Sequence, residues 1–305
     1  MDNKKKIHVF VHSDLDGVTS YMVLQWYLWN IPTYTISNHE NLHNSVSKWL
    51  LKNKIDEYDS IYFLGFDTCN ILHLIDHKNV YIFDHHQEAE RCLSLYVNAK
   101  VKVLEYGSTV LGLYRHLKDT MKDRKITADQ RKLVALVDDY ASYRLLERET
   151  SIGLNMIFWN YQGDKLEKFR NDFNNGFTAF GNDQLKIIDF YKNKIRKIID
   201  AADFYVGDFK IQGVFRKVIA TFADTCINEV ASELTNMGFE IAIVVNAVTK
   251  KVNFRKNHHS NVDLPKLAKN LTDGGGYKNT AGGLLTEKFM TFTKLLNKYD
   301  IGKGK

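Results

Sequence analysis

The sequence predicts an α/β protein: a doubly wound, mainly parallel sheet domain followed by a smaller α/β domain with a mixed sheet. Three observations carry that prediction. Short apolar runs at Ile7 to Val11, Ser60 to Phe66 and Asn79 to Phe83 each stop at an acidic or histidine residue. Stretches with helical spacing separate them, which is the alternation expected of parallel strands joined by helices. A second set of β-prone runs, at Val214 to Phe222, Glu240 to Val248 and Lys251 to Arg255, follows a long amphipathic segment.

Taken in order, Ile7 to Val11 is a buried strand, and Val18 to Trp29 is apolar enough for a buried helix with Asp16 and Gly17 at its start. Thr33 to Ile36 reads as a strand and Ser45 to Leu51 as a helix. The two aromatic-rich and β-branched runs ending before Asp67 and Asp84 are further strands. From Val101 to about Asp139 the pattern turns helical, with Thr127 as N-cap for Ala128 to Val137. Gln184 to Ala201 is a basic amphipathic helix with Leu185, Ile188, Tyr191, Ile195 and Ile199 on its apolar side, read as a partly solvated connector. This places a first domain at 1–183, the connecting helix at 184–202 and a second domain at 203–305. Asp273 to Gly283 reads as a glycine-rich loop.

The chain has 305 residues, 44% of them hydrophobic, enough for two globular domains and far from a disordered or fibrous composition. Its net charge of +6 is mildly basic and compatible with a polyanionic substrate. Cys69, Cys92 and Cys226 are odd in number and show no Cys-x-x-Cys spacing, so the expectation is reduced thiols in a cytoplasmic protein. The charged start of the chain leads into a strand and not a signal peptide, and no apolar stretch approaches the ~20 residues that span a bilayer.

The acidic strand ends carry the functional signal. In a doubly wound sheet the loops at the carboxyl ends of the strands gather on one edge, so Asp14, Asp16, Asp67, Asp84 and His85 converge although far apart in sequence. Singly, each has an ordinary structural reading: a cap, a turn, a core histidine. Jointly they supply carboxylates and imidazole without thiolate, the donor set of a centre holding two divalent metals, with manganese favoured and magnesium compatible.

These residues also carry a resemblance. His12-x-Asp14-x-Asp16-Gly17, Asp67, the triplet Asp84-His85-His86 after an apolar strand, and Asp139 follow one another as in the DHH phosphoesterase superfamily. The second half resembles the associated domain of that superfamily. Val252-Asn253-Phe254-Arg255 is similar to its arginine strand, and Gly274-Gly275-Gly276-Tyr277 through Gly283 to its glycine-rich loop. The similarity covers nearly the whole chain and includes nanoRNases and RecJ-like exonucleases.

The resemblance implies that Asp14, joined by His12, binds one metal, that Asp16 and His85 bind the other, and that Asp67 bridges both. Asp139, preferred to Asp138 for the spacing to Tyr143, completes the ligand set of the second metal. His86 contacts the scissile phosphate and Asp84 orients the imidazole. Arg255, Gly275, Gly276 and Tyr277 grip substrate, with Tyr277 standing where the family usually carries histidine. The implied activity is two-metal hydrolysis of short oligonucleotides in a cleft between the domains, without a membrane and with homodimerisation left open. A cyclic dinucleotide or oligonucleotide phosphodiesterase and a nucleotide phosphatase are alternatives within the class. Outside it stand a catalytically silent nucleotide-binding protein and a zinc protease built on His39-Glu40-Asn41-Leu42-His43.

Overall fold

The computed structural model describes residues 5–28, 31–85, 87–103, 107–257 and 259–299. The chain divides into two compact units, Met1–Gly181 and Asn182–Lys305.

The first unit is built on five parallel strands, β1 (Ile7–His12), β2 (Thr33–Ser37), β3 (Ser60–Leu64), β4 (Val80–Asp84) and β5 (Lys100–Val103). They lie in the order β2-β1-β3-β4-β5. The chain leaves β1 towards β2 and then returns to build β3 on the other side, so the direction of winding reverses between β1 and β3. Such a reversal is where doubly wound sheets bind ligands, outside the carboxyl ends of the two strands. Helices cover both faces, which is why β1 is buried along nearly its whole length rather than at alternate residues. Between β1 and β3 the chain forms α1 (Leu15–Leu28) and α2 (Leu42–Leu50), and a single turn α3 (Leu72–Ile75) precedes β4. After β5 come α4 (Thr109–Thr120), α5 (Ala128–Ala141), α6 (Arg148–Asn160) and α7 (Lys165–Phe173). One core runs under α2 and α3, joining Phe10, Phe63 and Ile82 of the sheet to Val46, Phe66, Ile71 and Ile75.

The predicted N-cap at Thr127 is present as a full capping box: Thr127 Oγ1 accepts Gln130 N–H, and Gln130 Oε1 accepts Thr127 N–H. Helix α1 starts at Leu15, earlier than the apolar run suggests, so Asp16 belongs to its first turn. Strand β5 was not foreseen in a segment read as helical; its Lys-Val-Lys-Val alternation is that of a half-exposed sheet-edge strand.

The second unit opens with α8 (Asn182–Ala201), which packs on α9 (Ile227–Asn236) of the same unit. Its mixed sheet comprises β6 (Phe204–Ile211), β7 (Val214–Phe222), β8 (Ile241–Asn246), β9 (Lys251–Lys256), β10 (Gly275–Tyr277), β11 (Thr280–Leu284) and β12 (Asn297–Tyr299). The order is β10-β11-β9-β8-β7-β6-β12, with β7 and β8 parallel and the other pairs antiparallel. Val218, Ile243 and Phe254 of the sheet pack with Leu264 and Ala268 of α10 (Leu264–Thr272) and Phe289 of α11 (Glu287–Thr293). The segment read as a glycine-rich loop is the β10-β11 hairpin. Among the described residues no helix is long and apolar enough to cross a membrane.

Candidate metal centre

Strands β1, β3 and β4 are neighbours, so the residues that close them meet on one edge. His12 ends β1 and its Nδ1 lies 2.9 Å from Asp14 Oδ2. Asp14 Oδ1 accepts the Gly17 N–H at 2.8 Å, which ties the carboxylate to the first turn of α1. Burial acts to raise the Asp14 carboxyl, but the charge and hydrogen bond of His12 together with the Gly17 N–H hold it well below the usual carboxylate range.

Gly17 is required here by close approach and not by a special turn. A Cβ on it would stand 2.3 Å from the His12 carbonyl oxygen, so only glycine lets α1 start flush against the end of β1.

Asp16 is 4% exposed and both its oxygens face the start of α4. Thr109 N–H donates to Oδ2 at 3.0 Å and Val110 N–H to Oδ1 at 2.9 Å. A helix start favours an anion through its unsatisfied N–H groups and its dipole. Burial and the neighbouring Asp14 charge nevertheless push Asp16 up to about 7. Asp14 and Asp16 thus stand close together, one held by an imidazole and one by a helix start. The donor set of carboxylates and imidazoles fits a hard divalent cation.

His85 follows β4 and reaches the same place. Its Nδ1 lies 2.9 Å from Thr109 Oγ1 and 3.6 Å from Asp16 Oδ2. Its backbone N–H donates to Oδ1 of the fully buried Asp84 at 2.8 Å, which fixes where the imidazole begins. Asp67 stands just beyond β3; its Oδ1 accepts Cys69 N–H at 2.9 Å and its Oδ2 pairs with Arg91 at 2.9 Å. His86 lies outside the described residues.

The neighbours Asp138 and Asp139, both buried near the end of α5, have separate partners. Asp139 accepts Leu146 N–H at 2.8 Å, Glu147 N–H at 3.0 Å and Ser151 Oγ–H at 2.7 Å, so its carboxylate organises the start of α6. Asp138 Oδ1 accepts Ser108 N–H at 3.0 Å and Ser108 Oγ–H at 2.8 Å, and its Oδ2 pairs with Arg144. Ser108 caps α4, the helix whose first N–H groups hold Asp16. Asp138 is thus the member of the pair tied, through Ser108, to the helix start that holds Asp16.

One expectation fails, and one alternative falls away. Cys69 and Cys92 are joined in a disulfide with Cα atoms 5.6 Å apart, where separate reduced thiols were expected. The cause is topological: each follows one of the adjacent parallel strands β3 and β4, so 23 residues of sequence separation vanish in space. The short zinc-protease pattern also fails, because α2 begins at Leu42 and leaves His39 and Glu40 in the turn before it. His39 instead packs on His12 and Phe66, with ring centroids at 4.5 and 5.7 Å, and so adds an imidazole beside the end of β1.

In the second unit Arg255 is 6% exposed. Its guanidinium donates to the Phe254 carbonyl at 2.9 Å and to Asn228 Oδ1. Gly275 and Gly276 lie in β10 opposite Gly282 and Ala281. Gly276 has φ +150°, and a Cβ there would meet the Thr280 carbonyl oxygen and the Ala281 Cα at 2.4 Å. The hairpin therefore needs glycine for its own packing, whatever else it does. Tyr277 closes β10, and its side chain lies outside the described residues.

No protein-family model and no curated protein matches the sequence. Solved structures do match the fold. The DHH domain of a member of a family of ribosomal proteins is 13% identical with TM-score 0.58, covering 95% of this chain and 86% of that one. The pGpG-specific phosphodiesterase PggH from Vibrio cholerae is 14% identical with TM-score 0.55, covering 95% and 96%. An exonuclease RecJ bound to manganese is 15% identical with TM-score 0.50, covering 96% and 89%. The fold of this chain is that of the DHH-domain proteins.

Proposed function

We propose that the protein is a metal-dependent phosphodiesterase that hydrolyses short oligonucleotides. The observation that supports this reading is the grouping of His12, Asp14, Asp16 and His85 where the winding reverses, with Asp67 following the neighbouring strand β3 on the same edge. There Asp16 is buried and pushed up to about 7 beside a second carboxylate. Closely set carboxylates and imidazoles without thiolate are suited to divalent cations, manganese first.

Two such ions would supply Lewis-acid activation of water and of the phosphoryl oxygens. The chain's own part is to fix the donors. His12 and Gly17 hold Asp14, the start of α4 holds Asp16, Thr109 and Asp84 orient His85, and Asp67 stands ready to bridge. We assign the outer carboxylate to Asp138, which reaches the same helix start through Ser108, and give Asp139 the duty of organising α6. His86 is assigned to the scissile phosphate by its position after His85. For substrate we assign Arg255, immobilised by Asn228, as a planar donor for a phosphate, together with the side-chain-free backbone of Gly275 and Gly276 and with Tyr277. A linear dinucleotide is the preferred substrate, supported by the fold shared with a pGpG phosphodiesterase.

The test incubates wild type and Asp67→Ala with manganese and a panel of RNA and DNA dinucleotides, cyclic dinucleotides and nucleoside monophosphates, resolving products by mass. Turnover of linear dinucleotides that disappears in Asp67→Ala is expected. Undiminished turnover in that variant refutes the metal assignment, and activity confined to cyclic substrates or monophosphates refutes the substrate.

A further inference from the structure

The disulfide lies against the proposed bridging carboxylate. An oxygen of Asp67 and the sulfurs of Cys69 and Cys92 all fall within 4.8 Å of one another. Each end of the bridge also carries a donor for Asp67. The backbone N–H of Cys69 donates to Oδ1, and Arg91, the residue next to Cys92, donates to Oδ2 at 2.9 Å.

The Arg91 side chain is 59% exposed, so its ion pair alone is weak; what holds it is the anchoring of the segment that bears it. Cys92 provides that anchor, being 3% exposed inside the turn Gln87–Leu95. The chain before Cys69 and after Cys92 is fixed independently of the bridge. Tyr96 Oη–H donates to Thr68 Oγ1 at 2.7 Å, and Asp76 accepts the backbone N–H groups of Val97, Asn98 and Ala99. Opening the disulfide therefore loosens a single turn and leaves the sheet intact.

A guanidinium on Asp67 occupies the oxygen that a metal would take. We propose that the Cys69–Cys92 disulfide is a redox latch on the metal centre: oxidised, it keeps Arg91 on Asp67 and weakens metal binding, and reduction releases the turn and frees Asp67. The inference rests on Asp67 being a metal ligand. The reductant is a dithiol, and the exchange balances. One thiol of the reductant attacks the bridge to give a mixed disulfide, and its second thiol resolves it. The Cys69–Cys92 bond is replaced by two S–H groups, the dithiol becomes a disulfide, and two electrons and two protons pass to the protein. In a reducing compartment the centre is open, and oxidation closes it.

The test uses the full-length protein in two preparations, oxidised, and reduced with dithiothreitol that is then removed without air. Thiol titration verifies the states, with one thiol expected after oxidation and three after reduction, since the chain has three cysteines. Manganese affinity is read from the spin-resonance signal of the free ion. Reduced wild type should bind about tenfold more tightly than oxidised, the scale of one charge-assisted contact displaced. Cys92→Ser should bind like the reduced protein whether or not dithiol is added. Arg91→Gln should keep its disulfide yet bind tightly in both states.

Equal affinity of oxidised and reduced wild type overturns the latch, as does a redox effect that persists in Arg91→Gln or an oxidised preparation that still titrates three thiols. Asp67→Ala separates the two ideas. If it binds manganese as wild type does, or wild type binds none in either state, the metal assignment itself has failed and the latch with it. If binding needs Asp67 but ignores redox state, the latch alone is wrong.

Discussion

Gly17→Ala is the smallest change that reaches the candidate metal centre without altering a donor. A Cβ at this position would lie 2.3 Å from the His12 carbonyl oxygen and 2.9 Å from the carbonyl carbon and Cβ of His12. All three belong to the end of β1, which cannot yield because it is paired with β2 and β3. The first turn of α1 must therefore retreat by about 1 Å to reach an ordinary van der Waals separation. Asp16 rides on that turn, and Asp14 is tied to it through the Gly17 N–H. A displacement of about 1 Å in a positioned catalytic set can lower turnover by about 100-fold. The stability cost is smaller. Overpacking takes about 1–3 kcal/mol, offset by roughly 1 kcal/mol because alanine is the better helix residue. The assay is dinucleotide hydrolysis at saturating manganese beside a urea unfolding curve, with Gly181→Ala, where an added Cβ meets nothing within 4 Å, as the control. The expected result is a folded Gly17→Ala protein with turnover down by about two orders of magnitude. Turnover within a factor of about three of wild type, with the fold retained, would refute the claim that this contact sets the ligand geometry.

Further outcomes follow from the partners of particular groups. His8 is buried in β1 with its ring nitrogens 2.8 and 3.1 Å from the hydroxyls of Thr33 and Thr35, and burial pushes its imidazole down to about 4. Because the folded value lies below the unfolded one, the unfolded chain takes up the proton first. Stability is complete above about pH 6.5 and falls as pH drops towards 4, by about 2 kcal/mol at pH 5. Urea midpoints at pH 7.5 and 5.0, followed by tryptophan fluorescence, should show this loss in wild type and not in His8→Gln; equal losses would contradict it. Asp139→Asn should lower stability by about 1–3 kcal/mol through the lost bonds to the α6 start while manganese affinity holds, and Asp138→Asn should lower that affinity. Loss of manganese binding in Asp139→Asn at unchanged stability would return the ligand role to Asp139.

What could be read from the sequence divides along physical lines. Strands β1, β3 and β4 were legible because a parallel sheet covered on both faces demands uninterrupted apolar runs, and α5 was legible because Thr127 and Gln130 write its start locally. Strand β5 and the β10-β11 hairpin were not, since Lys100–Val103 alternates at an exposed edge and the hairpin is built from glycines that propensity assigns to loops. The meeting of the carboxyl ends of β1, β3 and β4, by contrast, was implicit in the alternation of strand and helix runs.

The candidate site shows the same division. His12, Asp14, Asp67 and His85 were visible because they stand where a strand stops, a position fixed by the chain's local pattern. What holds them was invisible, because the partners arrive through tertiary contacts with no sequence spacing of their own: Thr109 and Val110 reach Asp16 across 93 and 94 residues, Ser108 reaches Asp138 across 30, and Arg91 reaches Asp67 across 24. The choice between Asp138 and Asp139 is the sharpest case. Two adjacent acidic residues near the end of one helix are equivalent to any reading by composition or period, yet successive residues on a helix point about 100° apart. That rotation sends one carboxylate to the cap of α4 and the other to the start of α6. Only the helices packed against α5 separate the two carboxylates, and a local pattern carries no trace of those neighbours.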